Sequence, residues 1–226
     1  MSFIVLEGLD GAGKSTQVKM LQEHFEKQGK RTQFLHFPRT DNSIFGDLIA
    51  KFLRGDLGAV DSVDPYLVAL IYACDRNDAK NAIKEWLDDE IVVIADRYVS
   101  SNIAFQCAKI ENIEQRKALR DWIINLEFEY YQLPKPSINL FLDVPFSFTK
   151  KKLTEQRDGD DRDYLQGKSD IHENDLTLQE RVREVYLWQC EVDSSIARIE
   201  CESESRQMLS PEAINRKVIE VVNNHI

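Results

Sequence analysis

The chain has 226 residues, 42% hydrophobic and 30% charged, with 9 Gly and 6 Pro. That composition fits one soluble α/β domain and excludes disordered, collagen-like and low-complexity classes. A net charge of −10 excludes a general attraction to nucleic acid or to an anionic membrane, since both need a cationic surface, so any bound phosphate must be gripped locally.

In chain order, Phe3-Ile4-Val5-Leu6 is an unbroken apolar run, too short for a signal peptide, and it reads as a parallel strand buried on both faces. Lys14 to Gln28 keeps Val18, Leu21 and Phe25 on one helical face and stops at Gly29. Thr32–Phe37, Ile91–Ala95 and Ile138–Leu142 are read as further buried strands, and Ala197–Cys201 as a weaker fifth. Asp64-Pro65 and Ser210-Pro211 each set a capping side chain before a proline in the first helical turn, so each predicts a helix start. The alternation predicts a single domain over 1–226, a three-layer α/β fold with a parallel sheet of about five strands and helices on both faces. Cys74, Cys107, Cys190 and Cys201 have neither zinc-ligand nor paired spacing, and no apolar stretch approaches the ~20 residues of a membrane span. The expectation is a cytoplasmic protein with free thiols.

The first strand runs into Gly8-Leu9-Asp10-Gly11-Ala12-Gly13-Lys14-Ser15-Thr16, and a helix opens at once. This is the Gly-x-x-x-x-Gly-Lys-Ser/Thr phosphate loop in its proper strand–loop–helix context. Glycines let backbone N–H groups curl around phosphates, Lys14 brings a charge to the β- and γ-groups, and the Ser15 hydroxyl suits Mg²⁺. The motif predicts a nucleoside triphosphate, with ATP and Mg²⁺ as the cofactors, and leaves the reaction open.

Three later clusters narrow it. Phe37-Pro38-Arg39 and Asp96-Arg97-Tyr98 each put an arginine at the carboxyl end of a strand, where open α/β sheets bind ligands. Asp96 is a candidate Mg²⁺ partner of the Walker-B kind, while Arg39 taken alone fits equally a surface arginine behind a turn proline. Tyr72 and Arg76 share a helix face, which suits a nucleobase or, as readily, an arginine stem lying over a half-buried tyrosine. A charged stretch from Arg157 through Arg162 to Tyr164 lacks apolar periodicity and predicts a mobile lid at about 156–173; arginines on a closing loop serve phosphoryl transfer.

Together the segments Phe3–Gln17, Phe37-Pro38-Arg39 and Asp96–Gln106 resemble those of the thymidylate kinases, across essentially the whole chain. The resemblance implies a P-loop kinase that moves the γ-phosphoryl group of ATP onto dTMP. It implies Asp10 near the sugar 3′-hydroxyl and the transferred phosphate, and Arg39 and Arg97 on the monophosphate. Tyr72 would stack on thymine, Arg76 would reach a base carbonyl, and Ser101 and Asn102 would lie near the other edge. Phe105 stands where relatives often carry a tyrosine that crowds a ribose 2′-hydroxyl. Gly11 and Ala12 leave the phosphate loop without an arginine, which resembles the members that supply it from the lid, here Arg157 or Arg162, with Tyr164 as a substrate contact. A homodimer is implied in the same way. The alternatives are a deoxynucleoside kinase or another nucleoside monophosphate kinase, and a non-catalytic nucleotide switch. The second strand ends on Arg39 where a hydroxyl acceptor would want a carboxylate base, and the guanine-reading Asn-Lys-x-Asp of a switch is absent.

Overall fold

The structure is a computed structural model that describes residues 2–40, 44–60, 62–154, 164–166, 168, 170–205 and 207–226, without the side chains of 151–154 and 174. Five strands, β1 (Phe3–Glu7), β2 (Thr32–His36), β3 (Val92–Asp96), β4 (Ile138–Asp143) and β5 (Ile196–Glu200), form one all-parallel sheet in the order β2-β3-β1-β4-β5. The helices are α1 (Lys14–Lys27), α2 (Ile44–Leu53), α3 (Pro65–Asp88), α4 (Val99–Cys107), α5 (Ile113–Ile124), α6 (Phe146–Thr154), α7 (Ile171–Asn174), α8 (Leu176–Val192) and α9 (Pro211–Asn223). A π-helical segment, Asn125–Tyr130, continues α5.

β1, β3 and β4 are buried along their whole length, as their apolar runs predicted. Thr32–Phe37 departs from the expectation of burial on both faces. β2 is the sheet edge, with Gln33, Phe34 and His36 exposed, because among the described residues no strand pairs with its outer side.

One core lies between the sheet and α3, α4 and α8; a second lies between the sheet and α1 and α9. Asp64 Oδ1 accepts from Tyr66 N–H at 2.8 Å and Ser210 Oγ from Ala213 N–H at 3.2 Å, so both proline-marked helix starts are capped as predicted. Across the second core, Gln17 of α1 donates to the Pro211 carbonyl at 3.0 Å and accepts from Asn215 at 3.1 Å, locking the helix that follows the phosphate loop against α9. Gly8 has φ 151°, and a Cβ there would meet the Leu142 carbonyl oxygen at 3.2 Å. Only glycine lets the loop leave β1 so close to the end of β4. Among the described residues no helix is long and apolar enough to cross a membrane.

Candidate active site

A cavity of about 1330 Å³ opens at the carboxyl ends of β1, β2 and β3, the edge at which such sheets place ligands. The phosphate loop forms one side. Its amine, Lys14 Nζ, donates to the carbonyls of Leu9 at 3.0 Å and Gly8 at 3.4 Å and lies 3.8 Å from Asp96 Oδ1. Burial, and then the charge of Arg97, push the Lys14 pKa down. A cation so placed gains most when anionic phosphates arrive. Asp96 Oδ1 is buried and accepts no hydrogen bond among the described residues, while Ser15 is exposed on the cavity wall.

Facing the loop stands Arg97. Its φ is 69°, a left-handed conformation that costs a non-glycine residue about 1–3 kcal/mol. The surroundings impose it: Arg97 N–H donates to the Leu6 carbonyl at 2.8 Å, and the next amide, Tyr98 N–H, donates to Glu7 Oε1 at 3.0 Å. The guanidinium pairs with Asp10 through Nη2 at 2.6 Å and lies over the Phe105 ring, 5.0 Å from its centroid. Burial would raise the Asp10 carboxyl, but Arg97 and Lys14 outweigh it and hold it at about 2.

Arg39 lines the cavity wall, with its side chain 15% exposed. Its Nε donates to Asp75 Oδ1 at 3.0 Å, its Nη2 to Asp78 Oδ2 at 2.6 Å, and its backbone N–H to Asp75 Oδ2 at 3.0 Å. Phe37, buried against Tyr98, precedes it across a cis Phe37–Pro38 bond.

At the far end Tyr72 and Arg76 do share a face and both line the cavity. Arg76 is 2% exposed, and Glu127, 0% exposed, takes its Nε and Nη2 at 2.5 and 2.6 Å. Burial would weaken this cation, and Glu127 more than compensates, so its pKa is raised. Asn102 Nδ2 donates to Glu127 Oε1 at 2.9 Å and to the Ala69 carbonyl at 3.0 Å. Two acceptors fix the amide orientation and leave Oδ1 as a buried acceptor without a partner among the described residues.

Ser101, expected near the other edge of a base, lines the cavity. Its hydroxyl is taken by Glu7 Oε2 and by Tyr186 Oη, the latter at 2.7 Å, and lies 3.5 Å from Arg97 Nη1, so it supports the arginine. Tyr164 lines the cavity, with its hydroxyl donating to Asp170 Oδ2 at 2.9 Å and its carbonyl accepting from Arg54 at 2.6 Å. Arg157 and Arg162 lie outside the described residues. The acidic stretch read as part of a charged lid is not all solvated: Asp170 and His172 are buried, and Asp170 caps α7.

Sequence reasoning passed over Glu7, Asp75, Glu127 and Gln179. Glu7 carried a usable signal, an acid ending a wholly buried strand, which demands partners inside. The other three had none, because what they bind lies far along the chain.

The family model described as thymidylate kinase matches residues 6–211. A thymidylate kinase of Mycobacterium tuberculosis is 35% identical over 183 residues, covering 81% of this chain and 83% of the relative. A probable thymidylate kinase of Thermococcus gammatolerans is 32% identical over 231 residues, covering 99% and 97%. Among solved structures, a thymidylate kinase from Candida albicans superposes with a TM-score of 0.71 at 21% identity, over 99% of this chain and 91% of that one, a likeness of fold.

Proposed function

The chain belongs to the thymidylate kinase family, and on that premise we propose how its cavity transfers the γ-phosphoryl group of ATP to dTMP to give dTDP. The observation that carries the reading is the pair of cations at the acceptor side. Arg97 is forced into a left-handed conformation, faces the phosphate loop and pairs with its Asp10, while Arg39 is braced on α3 by two carboxylates. A neutral hydroxyl acceptor has no use for two such groups, whereas a monophosphate does.

The acceptor oxygen is already anionic, so the protein aligns the groups and compensates charge, and no strong general base is required. Gly8 to Thr16 cradle the triphosphate, Lys14 holds its β- and γ-groups, and Arg97 with Arg39 holds the acceptor phosphate. Ser15 and Asp96, whose Oδ1 accepts no hydrogen bond among the described residues, are the residues that would hold Mg²⁺. Bound there, the ion would supply charge neutralisation to the triphosphate. Arg157 or Arg162 is assigned to the migrating group.

At the base end, Arg76 donors and the Asn102 Oδ1 acceptor match a carbonyl beside an imide N–H, which thymine and uracil have and cytosine lacks. Tyr72 supplies the stacking face. Four free cysteines suit a reducing, cytoplasmic location. A homodimer is carried over from the family resemblance, and exposed Leu67 and Tyr130 offer apolar surface for one; light scattering tests it.

An ATP-coupled assay over dTMP, dUMP, UMP, CMP and thymidine tests the function. The expected order has dTMP first and CMP and thymidine near background. A better rate with thymidine would overturn the monophosphate reading, and CMP as best acceptor would overturn the imide reading alone.

A further inference from the structure

Glu7 closes β1 and is 0% exposed, in a strand whose other residues are all apolar. The transfer set out above gives it no part. A carboxyl buried so completely is unfavourable unless donors surround it, and burial pushes its pKa up against the pull of Ser101, Arg97, Tyr186 and Tyr98. Those donors come from the start of α4 and from α8. Oε1 accepts the N–H of Tyr98 at 3.0 Å and that of Ser101 at 3.3 Å, while Oε2 accepts from the hydroxyls of Ser101 and, at 2.9 Å, of Tyr186. Tyr98 is the N-cap of α4 and Ser101 lies in its first turn, yet the Tyr98 side chain makes no capping bond. Glu7 is therefore the cap of α4, delivered from a strand end because the helix's own sequence lacks one.

We propose that Glu7 is a positioning residue for the transfer: by capping α4 from the end of β1 it holds Arg97 in the conformation that faces the phosphate loop, with Tyr186 as its brace. The inference rests on the reading above that Arg97 holds the acceptor phosphate. Arg97 directly precedes the cap, and β1 grips it on either side of its Cα, the Leu6 carbonyl taking its own N–H and Glu7 the next one. A non-glycine residue at φ 69° persists only where its surroundings over-determine it. Without the Glu7 bond the arginine relaxes to ordinary backbone, and its guanidinium leaves Asp10. Tyr186 fixes the carboxyl in turn. Its ring stacks on Phe141 of β4, with centroids 4.6 Å apart and 12° between planes, and its hydroxyl meets both Glu7 Oε2 and, at 2.7 Å, Ser101 Oγ. Neither Glu7 nor Tyr186 lines the cavity, so both act through Arg97.

The test is a double-variant cycle read by kcat with ATP and dTMP. Glu7→Leu removes the cap, and Tyr186→Phe keeps the stack on Phe141 but removes the brace. Alone, Glu7→Leu should lower kcat about 10²-fold and Tyr186→Phe about fivefold, the latter being the worth of one hydrogen bond, while KM for ATP holds. Arg97→Ala should lower kcat about 10³-fold by itself. Added to Arg97→Ala, neither substitution should cost more than about a further twofold, because the side chain they position is gone. Losses that multiply in that background are those of a merely structural role and would overturn the proposal, as would a wild-type kcat in Glu7→Leu. Tyr186→Phe decides both points by the same criteria if Glu7→Leu does not fold. Near-normal turnover in Arg97→Ala would overturn the functional reading instead.

Discussion

Replacing Glu127 with glutamine keeps the side-chain shape and removes one charge from an ion pair sealed inside the protein. Arg76 is 2% exposed and Glu127 0%, and the two meet through two hydrogen bonds of 2.5 and 2.6 Å, with Asn102 as a third donor to the same carboxylate. Taking one partner from such a pair strands the other charge away from water, which costs about 3–5 kcal/mol. At about 2–4 °C per kcal/mol for a domain of this size, the melting temperature of Glu127→Gln should fall by about 6–20 °C. The same carboxylate orients Arg76 and Asn102, the groups assigned to the base in the proposed function, so KM for dTMP should rise about tenfold while KM for ATP stays constant. Differential scanning calorimetry and steady-state kinetics read the two effects. The double variant Arg76→Met with Glu127→Leu separates them, since an apolar pair of similar volume restores stability but not acceptor binding. A Glu127→Gln protein that melts within about 2 °C of wild type and binds dTMP normally would refute the view that this pair builds the base pocket.

Asp10 gives a pH prediction. Its carboxyl lies at about 2 against an ordinary 3.8; burial opposes the shift, and Arg97 and Lys14 outweigh it. Because the folded value is the lower one, the stabilisation is full above pH about 4 and disappears as pH falls through about 2, a contribution of about 2 kcal/mol. Asp10→Asn should flatten the acid limb of a stability–pH curve, and an unaltered limb counts against the pairing. Arg97→Lys keeps a charge but loses the planar fork that meets Asp10 and, in the proposed mechanism, the acceptor phosphate, so kcat should drop about 10²-fold or more with ATP binding intact by equilibrium titration. Arg157→Ala and Arg162→Ala, assayed separately, should include one variant whose kcat falls about 10³-fold; near-normal turnover in both removes the lid arginine from the mechanism.

The sequence alone determined whatever depends on neighbours along the chain. The phosphate loop was legible because its glycines, Lys14 and Ser15 act through one continuous backbone. The buried strands β1, β3 and β4, the capped starts of α3 and α9 and the parallel five-strand sheet followed from apolar runs and punctuation of the same local kind. Even the arginines at the strand ends could be placed, since a strand end in such a sheet points to the ligand edge. Tertiary structure decided what those residues touch. Arg76 meets Glu127 across 51 positions, Tyr98 meets Glu7 across 91, and Asp10 meets Gln179 across 169. It also made β2 an edge strand, turned the Ser101 hydroxyl to Glu7, and buried His172 within the segment read as a charged, mobile lid. Hydrogen bonds and ion pairs form between groups close in space, and periodicity carries no information about which distant segment arrives there; burial then decides whether each such pair is worth tenths of a kcal/mol or several.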